Sequence, residues 1–258
     1  MPIDLLNESV LRAALGRRAD TWQISVPTSC PSTNTLAKEL AMDDPNQKAL
    51  IVAHRQTAGR GRMGRSFLSP DGAGIYCSLL FPSTKNLSDS LGITCAASVA
   101  VMRAIRAKTG LQTQIKWVND LLLDQKKVCG ILTEAVTMGD RTALILGIGI
   151  NLRPMTFPEE LEDIATTLGQ DTLSRAALIA EIFEQLSPFL ENPQDNSWLE
   201  DYRRHSCILG KKILRIENGI SRPCTACEID GRGGLTVRYP DGSLETLQSG
   251  EISLRLRE

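Results

Sequence analysis

The densest chemistry in the chain is Gly59-Arg60-Gly61-Arg62-Met63-Gly64-Arg65, with Arg55-Gln56 just before it. From Pro45 to Pro70 there is no acidic residue, while Lys48, Arg55, Arg60, Arg62 and Arg65 are basic. Glycine allows positive φ and close backbone approach, and arginine presents a planar fork that matches phosphate or carboxylate. Such a loop suits folding over an anion. A solvated basic loop and a nucleic-acid phosphate site are the rival readings.

A second constellation is Lys116-Trp117-Val118-Asn119-Asp120, followed by Lys126-Lys127-Val128-Cys129-Gly130-Ile131-Leu132-Thr133-Glu134. Two strands joined by a short turn would bring Asn119-Asp120 beside Lys127 and Gly130. Asn and Asp can read a base edge or hold Mg²⁺, and a lysine on a strand can stabilise charge developing on a phosphate or acyl oxygen. The plainer alternative is an Asn-Asp turn with solvated lysines.

Gly147-Ile148-Gly149-Ile150-Asn151 closes an apolar run, and its alternate glycines either leave a sheet face bare for a flat ligand or mark a bulge. It is no dinucleotide fingerprint, because the third glycine is missing and no helix opens after it. Ser32-Thr33-Asn34 reads as a helix cap, or as hydroxyls and an amide that bind a small polar group in a cleft. Neither histidine makes a case for catalysis: His54 precedes the arginine loop without a recognisable acid partner, and His205 sits in a late helix.

Hydrophobic periodicity supplies the elements that must position these groups. Leu5, Leu6, Val10, Leu11, Ala14 and Leu15 predict a first helix that Gly16 closes. Strands are expected at 22–26, 50–54 and 75–81, the last ended by Pro82, with a helix from Ser32 or Thr33 through Leu40 between the first two. A long amphipathic helix follows at about 88–109. Four strands then run at 115–118, 121–123, 128–135 and 142–150. Helices are expected at 159–168, 172–191 and 198–205. After Gly210, Asn218-Gly219, Gly233-Gly234 and Asp241-Gly242 punctuate short apolar runs, which predicts a small β-barrel. The expected fold class is α+β: a mixed sheet with helices on one side over residues 1–209, and a small barrel over 210–258.

The chain has 258 residues, 42% hydrophobic and 23% charged, a globular composition long enough to bury a core without disulfides. Lys+Arg 29 against Asp+Glu 30 leaves a net charge of −1, so no whole-molecule field draws it to DNA or to an anionic membrane. Seven cysteines, an odd number scattered through apolar runs, read as reduced thiols of a cytoplasmic protein. Cys224-x-x-Cys227 lacks a second pair or histidines at zinc spacing and reads as two strand residues. The N-terminus does not have the pattern of a signal peptide, and no apolar run nears the roughly 18 residues of a membrane span.

In this order the segments resemble the biotin protein ligase family, the biotin–acetyl-CoA-carboxylase ligases. The resemblance runs from Ser32-Thr33-Asn34 through Gln56 and the arginine loop, Lys116 to Asp120, Lys127-x-x-Gly130-Ile131-Leu132-x-Glu134 and Gly147 to Asn151, to Gly250-Glu251-Ile252-Ser253-Leu254-Arg255. It implies a class II synthetase-like catalytic domain with a C-terminal SH3-like barrel. The implied activity is two-step: biotin and ATP, as its Mg²⁺ complex, give biotinyl-5′-AMP, and the acyl group then passes to one lysine of a biotin carboxyl carrier protein. No tightly bound metal is implied.

Carried onto matching positions, Ser32, Thr33, Asn34, Gln56, Gly59, Arg60, Gly61, Arg62, Lys127, Gly130, Gly147 and Gly149 would form the biotin site. Arg62, Arg65, Phe67, Asn119, Asp120, Asn151 and Arg255 would serve ATP and the adenylate. Lys127, Arg60 and Asp120 would be catalytic, with Asp120 helping to deprotonate the incoming lysine. Val118 stands where the family often has proline, and Phe67 where it often has tryptophan, so adenylate stacking is expected to loosen. With only about 30 residues before Ser32, the resemblance implies a form without the winged helix-turn-helix of bifunctional members and without DNA as partner. Monomer and homodimer stay equally open. Lipoate–protein ligase is the alternative within the fold, and a nucleic-acid-binding module using the arginine loop is the alternative from another class.

Overall fold

The computed structural model describes residues 4–83, 90–192, 195–217 and 219–254. Arg255 and Asn218, named above, and residues 88–89 of the helix expected at 88–109 lie outside the described residues. Helix α1 (Glu8–Leu15) is capped by the Asn7 side chain, which accepts from the Val10 amide, and Gly16 stops it at φ 59°. Strands β1 (Gln23–Ser25) and β2 (Ser29–Cys30), helix α2 (Thr33–Asp43), and strands β3 (Ala49–Ala53), β4 (Arg55–Gln56) and β5 (Gly74–Ser83) follow. Next come α3 (Ser90–Thr109), β6 (Gln114–Lys116), β7 (Asp120–Leu123), β8 (Lys126–Met138) and β9 (Arg141–Asn151). Helices α4 (Glu159–Glu162), α5 (Arg175–Glu191) and α6 (Trp198–His205) lead to β10 (Lys212–Glu217), β11 (Ile220–Ile229), β12 (Leu235–Arg238), β13 (Leu244–Leu247) and β14 (Glu251–Ser253).

The main sheet is seven-stranded, in the order β1-β3-β5-β9-β8-β7-β6. It is mixed, as expected: β1 runs parallel to β3 and the other neighbours are antiparallel. The two-residue period of a strand divides its faces. Ile75, Cys77 and Leu79 with Ile150, Ile148 and Leu146 point into one large core shared with α3, α5 and α6. Tyr76 aligned with Gly149 and Gly130, and Ser78 aligned with Gly147 and Leu132, lie on the other face. The helices are therefore not all on one side, contrary to the expectation from the sequence: α2 packs Ala37 and Ala41 on Ile51, Leu80, Val136 and Ile145 of this second face, because its small apolar stripe meets an apolar patch there. The glycine half is left to the arginine loop.

Helix α3 is long and apolar enough to cross a membrane by length and composition, but 67% of its most apolar window is buried here, against the sheet, α5 and α6. Expected to be amphipathic, it is instead buried on nearly every side through Ile105, with only its last turn exposed, as a central core position selects.

Three expected elements differ. Strand β5 continues through Pro82, which pairs with Ala143 on β9. Its ladder to β3 has already ended at Leu80, so the missing proline N–H costs no bond on that side. Strand β6 ends at Lys116, before Trp117 and Val118 turn towards Asn119. The helix expected over 159–168 stops at Glu162. The chain beyond it instead bonds to two strand ends: Lys127 N donates to Ile164 O (2.8 Å), Thr166 N to Lys127 O (2.9 Å) and Leu168 N to Asn151 O (2.9 Å). The β8–β9 ladder begins only at Cys129, so Lys127 has an open edge, and pairing that edge outweighs a weak local helical preference.

The C-terminal sheet is five-stranded and antiparallel, ordered β13-β12-β11-β10-β14, and consistent with an SH3-like unit. Among the described residues no ladder joins β13 to β14. Both cysteines of Cys224-x-x-Cys227 lie in β11, one buried and one exposed. The two sheets share one apolar core, and the Trp117 indole N–H donates across to Gly233 O at 2.8 Å.

Candidate active site

The site lies on the glycine half of the main sheet. Residues 147 and 149 must be glycine here for steric reasons. A Cβ on Gly147 would overlap Asn34 Oδ1, and one on Gly149 would lie 2.7 Å from the Phe67 ring. Alternate glycines thus form a bare floor onto which α2 and the loop press their side chains.

One wall is the first turn of α2. Ser32, Thr33 and Asn34 are all buried, but Ser32 makes no side-chain cap bond. Instead Gln56 Oε1 accepts from Thr33 N at 2.8 Å, and Ser78 Oγ lies 2.7 Å from Thr33 Oγ1 and donates to Asn34 Oδ1 at 2.6 Å. Asn34 Nδ2 donates to Glu134 Oε2 at 2.9 Å. The helix start therefore serves as a polar wall, and the plain cap reading does not hold.

The arginine loop is folded over the cleft as a tight hairpin. Gly61 N donates to Arg65 O (2.7 Å) and Phe67 N to Gly59 O (2.9 Å), while Met63 at its tip has φ 55°. Gly59 is packed so closely under the Phe67 carbonyl that a Cβ there would overlap it. Each arginine has an internal partner. Arg60 lies 3.1 Å from Glu134, Arg62 donates to Asn119 Oδ1 (3.2 Å) and Gly250 O (3.1 Å), and Arg65 lies 2.6 Å from Glu251. Burial pulls the Arg62 pKa down, opposed by the charges of Asp120 and Glu251.

The far end of the cleft is the β7–β8 hairpin. Asp124 and Gln125, both at positive φ, make its turn, and the ladder sets Asp120 opposite Gly130. Lys127 Nζ lies 2.6 Å from Asp120 Oδ1. That oxygen is buried and the approach lies outside hydrogen-bond geometry, so the contact is an ion pair, with directional capacity left unused on the carboxylate. Asn119 is locked to β8, its Nδ2 donating to Ile131 O at 2.7 Å.

Ser32, Thr33, Asn34, Gln56, Arg60, Gly61, Arg62, Phe67, Asn119, Lys127, Gly130, Gly147 and Gly149 thus line one narrow cleft that opens to solvent. Asp120 reaches it through Lys127. Arg65 and Gly59 shape the loop without lining the cleft. Asn151 is not brought in: its side chain is buried and donates to Thr166 O at 3.0 Å. Phe67 lies across Gly149 and Gly130, within the same cleft.

Ser78, Ser69, Tyr76 and Cys77 escaped the sequence reading. Ser69 accepts from Gln56 Nε2 at 2.8 Å and donates to Phe67 O at 3.0 Å, tying the loop's return limb to the polar wall. Ser78 had a signal: it is the one small polar side chain in the apolar run Ile75 to Phe81, at the parity of the glycine face. The Cys77 thiol points into the core on the far side of the sheet, where burial pushes it up to about 12 and keeps it neutral.

Residues 26–151 match the biotin/lipoate A/B protein ligase family. The biotin--[acetyl-CoA-carboxylase] ligase of Mycobacterium tuberculosis is 30% identical over 263 residues, 96% of this chain and 95% of that protein. The chain belongs to the biotin/lipoate A/B protein ligase family. The bifunctional ligase/repressor BirA of Bacillus subtilis is 40% identical over 183 residues, which cover 69% of this chain and 56% of that relative's length. Among solved structures, the biotin protein ligase from Aquifex aeolicus in complex with biotin and ATP is 30% identical, with a TM-score of 0.68 over 90% of this chain and 96% of that one. Family membership thus rests on relatives matched along nearly their whole length as well as on the shared central segment.

Proposed function

We propose that the chain is an ATP-dependent biotin–protein ligase, taking biotin and the magnesium complex of ATP as substrates and a biotin carboxyl carrier protein as acceptor. The observation that carries this reading is the position of Lys127. Its ammonium stands between the glycine floor and Asp120, under a loop that brings in Arg60 and Arg62. A carboxylate meeting a triphosphate brings like charges together, and fixed cations in a covered cleft offset that repulsion.

In the first step a biotin carboxylate oxygen attacks the α-phosphorus, the bond to the β-phosphate oxygen breaks, and pyrophosphate leaves. Lys127 and Arg62 stabilise the charge gathered between the two groups, while Arg60 and the Thr33–Asn34 wall hold biotin over the glycine half of the sheet. In the second step the acceptor lysine amine attacks the acyl carbon, AMP leaves, and Asp120 takes up the amine proton. The folded loop keeps water from the mixed anhydride between the steps.

The two biotin-ligase comparisons matched along most of both chains support biotin over lipoate as the acid. The internal pairing of Arg60, Arg62 and Arg65 argues against the nucleic-acid reading, since such a surface would present them outward. The unit boundary we infer lies near residue 210, where β10 to β14 begin. The free cysteines fit a cytoplasmic location.

The deciding experiment is pyrophosphate release with biotin or lipoate and MgATP, followed by mass spectrometry of an added biotin-carrier domain. Biotin-dependent release and one biotin-sized mass gain are expected. Lys127→Ala should lose about 10²–10³ in kcat, the usual cost of one transition-state donor. Turnover with lipoate alone, or with neither acid, overturns the reading.

A further inference from the structure

The polar wall and the arginine loop are joined by one carboxylate that the mechanism above does not use. Glu134 on β8 divides its oxygens between them. Oε2 accepts from Asn34 Nδ2 at 2.9 Å, and Oε1 lies 3.1 Å from the Arg60 guanidinium. Its side chain is about one-quarter exposed, at 24%.

From Glu134 a continuous chain of contacts runs back to the loop. Asn34 meets Ser78, Ser78 meets Thr33, Thr33 meets Gln56, Gln56 donates to Ser69, and Ser69 donates to Phe67 O. Phe67 N in turn donates to Gly59 O, next to Arg60. The circuit therefore closes on itself. It fastens the loop at both limbs, and Glu134 is the link that reaches the rising one.

We propose that Glu134 is a positioning residue that couples the two halves of the site, holding Arg60 over the cleft and fixing the Asn34 amide against Gly147. The chemistry requires a carboxylate. Both neighbours are donors, and only an ionised acid offers two acceptor oxygens with no hydrogen between them. Glutamine at this position would accept from one neighbour and turn its own NH₂ on the other. Asn34 has no room to readjust, because its amide oxygen is pinned by Ser78 and packed on Gly147. Loss of the carboxylate would release Arg60 and loosen the wall together. The claim on biotin rests on the ligase reading; the claim on the loop does not.

The test compares wild type, Glu134→Gln and Glu134→Ala. Biotin binding is measured by calorimetry, biotin KM and kcat by pyrophosphate release, and loop order by the rate of trypsin cleavage within residues 60–65 of the free protein. Glu134→Gln is expected to weaken biotin about tenfold, the size of one charge-assisted bond at a partly exposed site, and to raise KM rather than lower kcat. Trypsin should cut the loop several-fold faster while the melting temperature stays near wild type. In an Arg60→Ala background the same substitution should change biotin affinity by less than about twofold, because a shared link is lost only once.

Unchanged loop cleavage and unchanged biotin affinity in Glu134→Gln overturn the proposal. So does an equal effect in the Arg60→Ala background, which would detach Glu134 from the arginine. If Glu134→Ala does not fold, the glutamine variant decides alone. If wild type binds no biotin, the ligase reading fails, and the cleavage rates still decide whether Glu134 holds the loop.

Discussion

The Arg65 guanidinium lies 2.6 Å from the Glu251 carboxylate, so the arginine loop of the main sheet is held to the first residue of β14 in the C-terminal sheet. Arg65 is two-thirds exposed, and a pair so wetted contributes less than about 1 kcal/mol to stability. Its value is positional. Arg62 grips Gly250 O beside it, so two arginines on one loop meet consecutive residues of the other unit. Arg65→Ala is expected to leave the melting temperature almost unchanged, to weaken ATP about tenfold, and to leave biotin binding without nucleotide within about twofold of wild type. Calorimetry with each substrate checks this. An equal loss for biotin would mean that the pair positions the whole loop.

The glycine floor makes a sharper prediction. In Gly149→Ala the new methyl meets the Phe67 ring at 2.7 Å, and the ring must leave the floor. The ring is a side chain with loop backbone behind it, so stability should fall by only about 1–3 kcal/mol while biotin binding drops far more. Gly147→Ala drives a methyl into a buried, fully bonded Asn34 amide and should cost more in stability than its neighbour. Urea unfolding of the two variants side by side gives the ranking.

Trp117 joins the two sheets by a buried bond to Gly233 O. Trp117→Phe keeps most of the apolar contact but leaves that carbonyl unpaired, which should cost about 1–3 kcal/mol. Because Asn119 follows closely in the chain, turnover should fall as well. A variant as stable as wild type would show that water replaces the indole.

Stability should fall at alkaline pH. Burial pushes the Cys77 and Cys95 thiols from 9.0 up to about 12 and raises Cys129 in the same direction. Between pH 9 and about 12 the unfolded chain has released these protons while the folded chain keeps them. The unfolded state then binds fewer protons, so stability declines with rising pH, by up to about 1.4 kcal/mol per pH unit for each thiol. Urea midpoints at pH 8, 9 and 10 measure the slope, and Cys77→Ala should make it shallower.

Much of this protein is legible in its sequence, where the physical rule is local. Period-two and helical patterns located most strands and helices, turn residues placed the β7–β8 hairpin, and that hairpin by itself brought Lys127 beside Asp120. The segments Ser32 to Asn34, Gly59 to Arg65, Asn119 to Lys127 and Gly147 to Gly149 all stood out by residue type alone. What only the tertiary structure decided are the contacts across distant segments. Ser32 to Asn34 became a wall because Gln56, Ser78 and Glu134 reached its groups first. Phe67 came to lie on Gly149 because the loop folds back over the floor. Asn151, chemically suited to a nucleotide, was taken by Thr166 because an open strand edge captured residues 164–168. Such outcomes depend on competition among partners for the same buried donors and acceptors, and that competition is settled only when the sheets have packed.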